Sequence, residues 1–296
     1  MIARRSLAAL CAWLLCEQFS AVSAGPVVTV SASSAEIPRR IASLNLTADE
    51  ILAEIVPVDR LVAATAAADD VGTSNVVGRI PPSVARFRRA EMERLLALSP
   101  DLVVVSEYTD ADFLRLVERS GMRVHRMGGL DSLRGIRAAI LDLGRAVGSE
   151  EGAARLAARY DARLAELARR LAGVPRPRVL YWAGGMTAGG GTAIGALIEG
   201  GGAANVGREL GLEGIAPIGA ERAFVADPDY VLVGEGWKST EALKAHPLLS
   251  QMRAVKQGRI VAMPTELLVT LSHHAADACW WLAGALHPDR VPPSRP

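Results

Sequence analysis

The longest regular pattern in the chain runs over 149–173, SEEGAARLAARYDARLAELARRLAG. Apolar residues recur there at Leu156, Tyr160, Leu164, Leu167 and Leu171, at steps of three or four, which is the helical period. Ser149 is placed to cap the start, Glu150 and Glu151 suit the positive end of the helix dipole, and Arg169 and Arg170 suit the last turn. Gly173, Pro175 and Pro177 then end it. The pattern predicts a helix roughly 35 Å long. Similar lengths of chain lie on either side, so it fits either a surface helix of one α/β domain or a strut between two lobes.

Both flanks alternate short β-branched runs with helical periods. On the first side, 40–44, 60–65, 101–106 and 122–127 read as strands. Residues 47–55 read as a helix opened by a capping box from Thr47 to Glu50. Residues 91–98, 110–119 and 132–147 also read as helices, and 66–89 as a long irregular loop. On the second side, strands are predicted at 178–182, 229–233 and 259–263, with a glycine-rich loop at 183–191. Helices are predicted at 192–199, 221–226, 238–245, 247–254 and 272–286, the last capped by Ser272, with a frayed tail from 288 to 296. The alternation implies βαβ units and an α/β fold on parallel-rich sheets.

The two flanks also share a register. Glu93-Arg94, Pro100-Asp101 and the strand after them match Glu221-Arg222, Pro228-Asp229 and their strand at a constant offset. Helix, Pro-Asp and strand in one register suggest two related lobes. The same string is also ordinary α/β grammar.

Composition narrows the class. The chain has 296 residues, half of them hydrophobic, which is ample for a core, and a formal net charge of +1 indicates no polyanion partner such as nucleic acid. Arg4 and Arg5, the apolar run 7–16 and Val22-Ser23-Ala24 form a signal peptide, so the mature chain is expected to begin at Gly25 in the periplasm. Leu10 and Leu15 precede Cys11 and Cys16 where a bacterial lipobox has a small residue, which argues against a lipid anchor. Cleavage leaves Cys279 alone, in an apolar helical pattern that suits a core position. The expected organisation is signal peptide 1–24, first lobe 25–148, connecting helix 149–173 and second lobe 174–296.

Several stretches resemble the periplasmic substrate-binding proteins of ATP-binding-cassette importers for vitamin B12, ferric siderophores and haem. They are Arg40-Ile-Ala-Ser-Leu with Thr47-x-x-Glu50-Ile-Leu, the two Glu…Pro-Asp segments, and His246-Pro-Leu-Leu…Met252-Arg-Ala-Val-Lys256-Gln-Gly258-Arg259-Ile-Val. The resemblance covers about 39–286. It implies two Rossmann-like lobes, each on a parallel-rich sheet, joined by one long rigid helix that limits their closure, a ligand held between the lobes, a monomer, and delivery to a permease dimer in the inner membrane. It also implies that one surface glutamate per lobe docks on permease arginines; by position these are Glu93 and Glu221. Each also fits a solvated charge in the first turn of a helix.

In open parallel sheets, ligands lie beyond the carboxyl ends of the strands. That rule selects Asn45, Phe87 and Tyr108 in the first lobe, and Trp182, Trp237 and His273 in the second. Aromatic walls suit a flat macrocycle or an aryl chelate. Each also fits ordinary packing at the mouth of a core. His273 with His274 suits either a contact to a chelated metal or the polar start of a helix. The resemblance places a Tyr or His of haem-binding relatives in the loop after the second strand. Here that loop holds Arg79, Arg86, Arg88 and Arg89 instead, which leaves a corrinoid or an anionic ferric chelate ahead of haem. No permanent cofactor is expected, and no metal held by the protein alone. The alternatives are a haem-binding protein of the same family, a haem chaperone or sensor without a transporter, and an exported α/β enzyme. For the last, the glycine-rich loop fits no G-x-G-x-x-G register, lacks the Lys of a P-loop, and no G-x-S-x-G, H-E-x-x-H or C-x-x-C occurs.

Overall fold

The computed structural model describes residues 36–236 and 239–292. The signal segment, most of the stretch 25–38, Trp237, Lys238 and the end of the tail lie outside the described residues. From Ile37 onward the chain forms one compact unit.

The first half opens with β1 (Ile41–Ser43), α1 (Leu46–Ile55), β2 (Leu61–Thr65) and β3 (Ala85–Phe87). It continues through α2 (Met92–Leu98), β4 (Leu102–Ser106), α3 (Ala111–Arg119), β5 (Arg123–Met127) and α4 (Leu133–Ala146). Its five strands form a sheet in the order β3-β2-β1-β4-β5, every pair parallel. Val103, Val104 and Val105 are buried on both faces of the sheet, as their unbroken apolar run requires.

Next comes α5 (Glu150–Arg170), unbroken as the 3.6-residue period predicts. The second half holds β6 (Arg178–Tyr181), β7 (Met186–Ala188), α6 (Ala193–Gly200), β8 (Ala204–Asn205), α7 (Val206–Glu209), β9 (Ile215–Pro217), α8 (Ala220–Ala226) and β10 (Tyr230–Gly234). It ends with α9 (Ser239–Ala245), α10 (Arg253–Lys256), β11 (Ile260–Met263), α11 (Thr265–Leu268) and α12 (Ala275–Leu286). A parallel sheet in the order β11-β10-β6-β8 is separate from the first, and β7 pairs β9 as an antiparallel ribbon.

Helix α5 holds both halves. Near its start it packs so closely on α4 that a Cβ on Gly144 would lie 2.2 Å from that of Ala153. Arg159 reaches Glu54 of α1 at 2.8 Å. Near its end Arg163 pairs with Asp277 of α12 at 2.6 Å, and the Trp280 indole, which donates to the Arg163 carbonyl at 2.9 Å, lies under the guanidinium groups of Arg163 and Arg170.

The internal repeat reaches atomic detail. Ser99 and Asp227 end α2 and α8 in the left-handed region, at φ 45° and 40°. Arg40 donates to the carbonyls of Leu98 and Ser99, and Arg178 donates to those of Ala226 and Asp227. Asp101 accepts from the Arg40 backbone N–H, and Asp229 from that of Arg178. One arginine thus closes the end of a short helix and starts the first strand of its sheet in each half.

Several local expectations are corrected. Asn45, not Thr47, caps α1, its side chain accepting from the Thr47 N–H at 2.9 Å, because α1 starts two residues earlier than the capping-box pattern implies. Ser149 sits at the start of α5, but its hydroxyl donates to the Ile55 carbonyl instead of capping. The expected loops at 66–89 and 183–191 contain the short strands β3 and β7. Ser272 does not cap the closing helix, which begins at Ala275. Val291, expected in a frayed tail, is fully buried, held by a turn whose N–H groups bond the His287 carbonyl.

Candidate functional site

In the first sheet the order of strands reverses between β1 and β4, and such a switch point leaves a crevice at the carboxyl ends. A cavity of about 460 Å³ opens there, lined by Leu44 and Leu46 after β1, Thr65 to Ala67 after β2, Phe87 to Ala90 after β3, and Thr109 after β4. A second cavity of about 540 Å³ adjoins it, sharing Ala66, Asp70 and Arg88 and adding Asp69, Arg86, Glu91 and Arg94. Because the two adjoin, they offer one ligand more room than either does alone.

The arginines of this wall divide by what they touch. Arg86 makes a fork with Asp69, at 2.7 and 3.0 Å. Arg89 pairs with Glu91 at 3.1 Å, Arg79 pairs with Glu54, and the Arg94 guanidinium lies 4.7 Å from the Phe87 ring centre. Arg88 lines both cavities, is exposed, and has no partner among the described residues. Arg94, also on this wall, has no ion pair among the described residues either, but its guanidinium is stacked on Phe87. The sequence flagged the arginines without showing which were engaged.

Beneath the wall lies Asp49, fully buried in α1. Its Oδ2 accepts from the Thr65 N–H at 3.0 Å and hydroxyl at 2.6 Å, while Oδ1 has no hydrogen-bond partner among the described residues. Burial pushes its carboxyl up to about 7 against the opposing pull of the Ser43 and Thr65 hydroxyls and the Arg86 charge. Nothing in the sequence singled it out, since an acid in a first helical turn reads as a dipole partner.

The predicted residues do not converge on one point. Phe87 lines the first cavity, but its ring is 3% exposed and covered by Arg94. Asn45 is engaged in capping α1. Tyr108 stands 88% exposed beside the cavity-lining Thr109. Trp182 is 8% exposed and packs with Leu180, Val206 and Val231 in the core of the second half, so little of it is open to a ligand. Trp237 is outside the described residues.

His273 lies away from these cavities, near Glu54, Asp277 and Arg159, its ring 4.0 Å from that of His274. Burial, then the neighbouring His274, lowers its pKa to about 3, so it is neutral at physiological pH. Among the described residues no group of three or more His, Cys, Asp or Glu is placed to hold a metal ion.

A smaller cavity of about 210 Å³ is lined from both halves, by Asp131 and Ser132 of the first and by Gly189 to Thr192 of the second. Gly189 answers to packing, since a Cβ there would lie 2.1 Å from the Leu212 carbonyl oxygen, and Gly191 to its positive φ of 62°. Glu93 and Glu221 are both exposed in the first turns of α2 and α8, without a partner among the described residues.

Two separate parallel sheets, one long helix between them and a crevice at a switch point define a two-lobed binding protein. The chain belongs to the periplasmic binding protein family, whose model matches residues 41–267. That family is one of substrate-binding proteins, so the chain is a binding protein and not an enzyme. A cobalamin-binding protein of Halobacterium salinarum is 27% identical over 257 residues, 84% of this chain and 69% of the relative. The structure of a periplasmic heme-binding protein from Pseudomonas aeruginosa superposes with a TM-score of 0.71 at 25% identity, over 88% of this chain and 96% of the other. A possible iron-binding (periplasmic solute-binding) protein from Staphylococcus epidermidis has the same fold, with a TM-score of 0.73 at 18% identity, over 85% of this chain and all of the other.

Proposed function

We propose that the chain is exported to the periplasm, captures a preformed metal chelate, a corrinoid or a ferric siderophore, and delivers it to an ATP-binding-cassette permease dimer. The observation that carries the reading is the pair of adjoining cavities at the switch point, with Arg88, unpaired among the described residues, on their shared wall. A large ligand with an apolar body and an anionic group matches Leu44, Leu46 and the alanines on one side and Arg88 on the other. A bare ion would need several converging donors. The cobalamin-binding relative supports the corrinoid. We assign 1–24 to the signal peptide, 25–148 and 174–296 to the lobes, and 149–173 to the helix joining them. We assign Phe87, Arg88 and the neighbouring Tyr108 to the ligand wall of the first half and propose Trp237 as the contact from the second, whereas Asn45, Trp182 and His273 are engaged elsewhere. Glu93 and Glu221 are the docking residues, one on each half.

Haem is the second reading, favoured by the heme-binding protein of similar fold and by the exposure of Tyr108 beside the cavity, where a phenolic oxygen could reach a ferric iron. Titration with cyanocobalamin, ferric siderophores, haemin and free metal salts, followed by tryptophan fluorescence, tests both readings. A chelate should quench Trp182 and Trp237, and Trp237→Ala should weaken it. If haemin is the ligand, Tyr108→Phe should change its absorption spectrum. Tight binding of free zinc, manganese or iron with failure of every chelate would overturn the proposal.

A further inference from the structure

Glu50 lies on α1 of the first half and is 2% exposed. Its Oε1 accepts from the Asn75 main-chain N–H at 3.1 Å and from the Asn75 side-chain amide at 2.8 Å. Its Oε2 accepts from the hydroxyls of Ser272 and Thr270, both buried and both in the second half. The Asn75 amide also donates across to the Glu266 carbonyl at 3.1 Å. One turn along α1, Glu54 accepts from Arg79 and from Arg159 of α5.

We propose that Glu50 is a positioning residue that sets the spacing of the two halves. Four donors converge on two oxygens, a load that a carboxylate can accept and that an apolar residue would leave stranded in a dry seam. Buried polar groups with every partner in place tolerate little displacement, so this tie favours one arrangement. Asn75 belongs to the same 66–84 segment in which Ala66, Ala67, Asp69 and Asp70 line the cavities. The tie therefore links that segment to the 264–272 segment of the second half. The inference goes beyond the choice of ligand and does not depend on it.

The test uses the ligand-free protein, hydrogen exchange read by mass spectrometry and small-angle scattering. In Glu50→Ala, amides in 70–80 and 265–275 should exchange together, about tenfold faster or more, for the loss of hydrogen bonds to a charged group. Strands β4 and β10 should keep wild-type protection, and the radius of gyration should rise. Glu50→Gln should stay near wild type, because its amide oxygen can accept from Asn75 while its nitrogen donates to the two hydroxyls. The pair Thr270→Val with Ser272→Ala should reproduce the faster exchange in 265–275. A folded Glu50→Ala with wild-type exchange there, or with exchange raised evenly through all strands, overturns the proposal. Should Glu50→Ala fail to fold, wild-type exchange and scattering in the hydroxyl pair overturn it instead.

Discussion

Replacing Asp49 with Asn should remove a specific pH dependence of stability. The carboxyl is fully buried, and burial raises it from 3.8 to about 7 in the folded state. The folded protein therefore holds this proton over a range where the unfolded chain has released it. Stability from this group is fully present below the unfolded value and is lost as pH rises through about 7. The complete shift corresponds to about 4 kcal/mol, of which about 3 kcal/mol falls between about pH 4.5 and about pH 8. Asn keeps an oxygen for the two Thr65 donors but places an N–H₂ where the unpartnered Oδ1 sits, at a cost of about 1–3 kcal/mol that does not vary with pH. Urea unfolding of both proteins across this range isolates the effect, because other titrating groups cancel in the difference. The wild type should lose about 3 kcal/mol relative to the variant as pH rises. A difference constant to within about 0.5 kcal/mol would refute the reasoning.

Arg88→Ala should weaken an anionic chelate about tenfold in a fluorescence titration and leave the urea midpoint unchanged, since it has no partner among the described residues to lose. Charge reversal at both Glu93 and Glu221 should abolish uptake by cells while affinity for the chelate stays at the wild-type value; lost binding would remove the docking role. Arg40→Ala and Arg178→Ala should each cost about 1–3 kcal/mol in urea unfolding, because each leaves the last carbonyls of a short helix without their donor.

Long-period features were legible in the sequence. The helical spacing around Leu156 and Leu167 gave α5 nearly to its ends, and the matched Glu-Arg and Pro-Asp positions announced the repeat that Ser99 and Asp227 share in backbone conformation. Short strands were not legible. β3 has three residues between a Pro-Pro turn and an arginine-rich stretch, and β7 has three inside a glycine run, too few for a period to show. Local pattern also misled where a polar side chain serves a distant partner. Ser272 reads as a cap and Glu50 as a first-turn acid, yet they bond each other across 222 positions of sequence. Trp182 shows a related limit: a bulky residue at a strand end fits a cleft or a core equally well, and only the packing of α7 and β10 against it decides for the core.

The central claim, capture of a preformed chelate, is tested most directly by native mass spectrometry of the protein purified from its own host, with its visible absorption spectrum. One bound species is expected, with the mass of an organic chelate carrying cobalt or iron and the matching chromophore. A protein that carries only bare metal ions, with no organic ligand and no visible band, would contradict it.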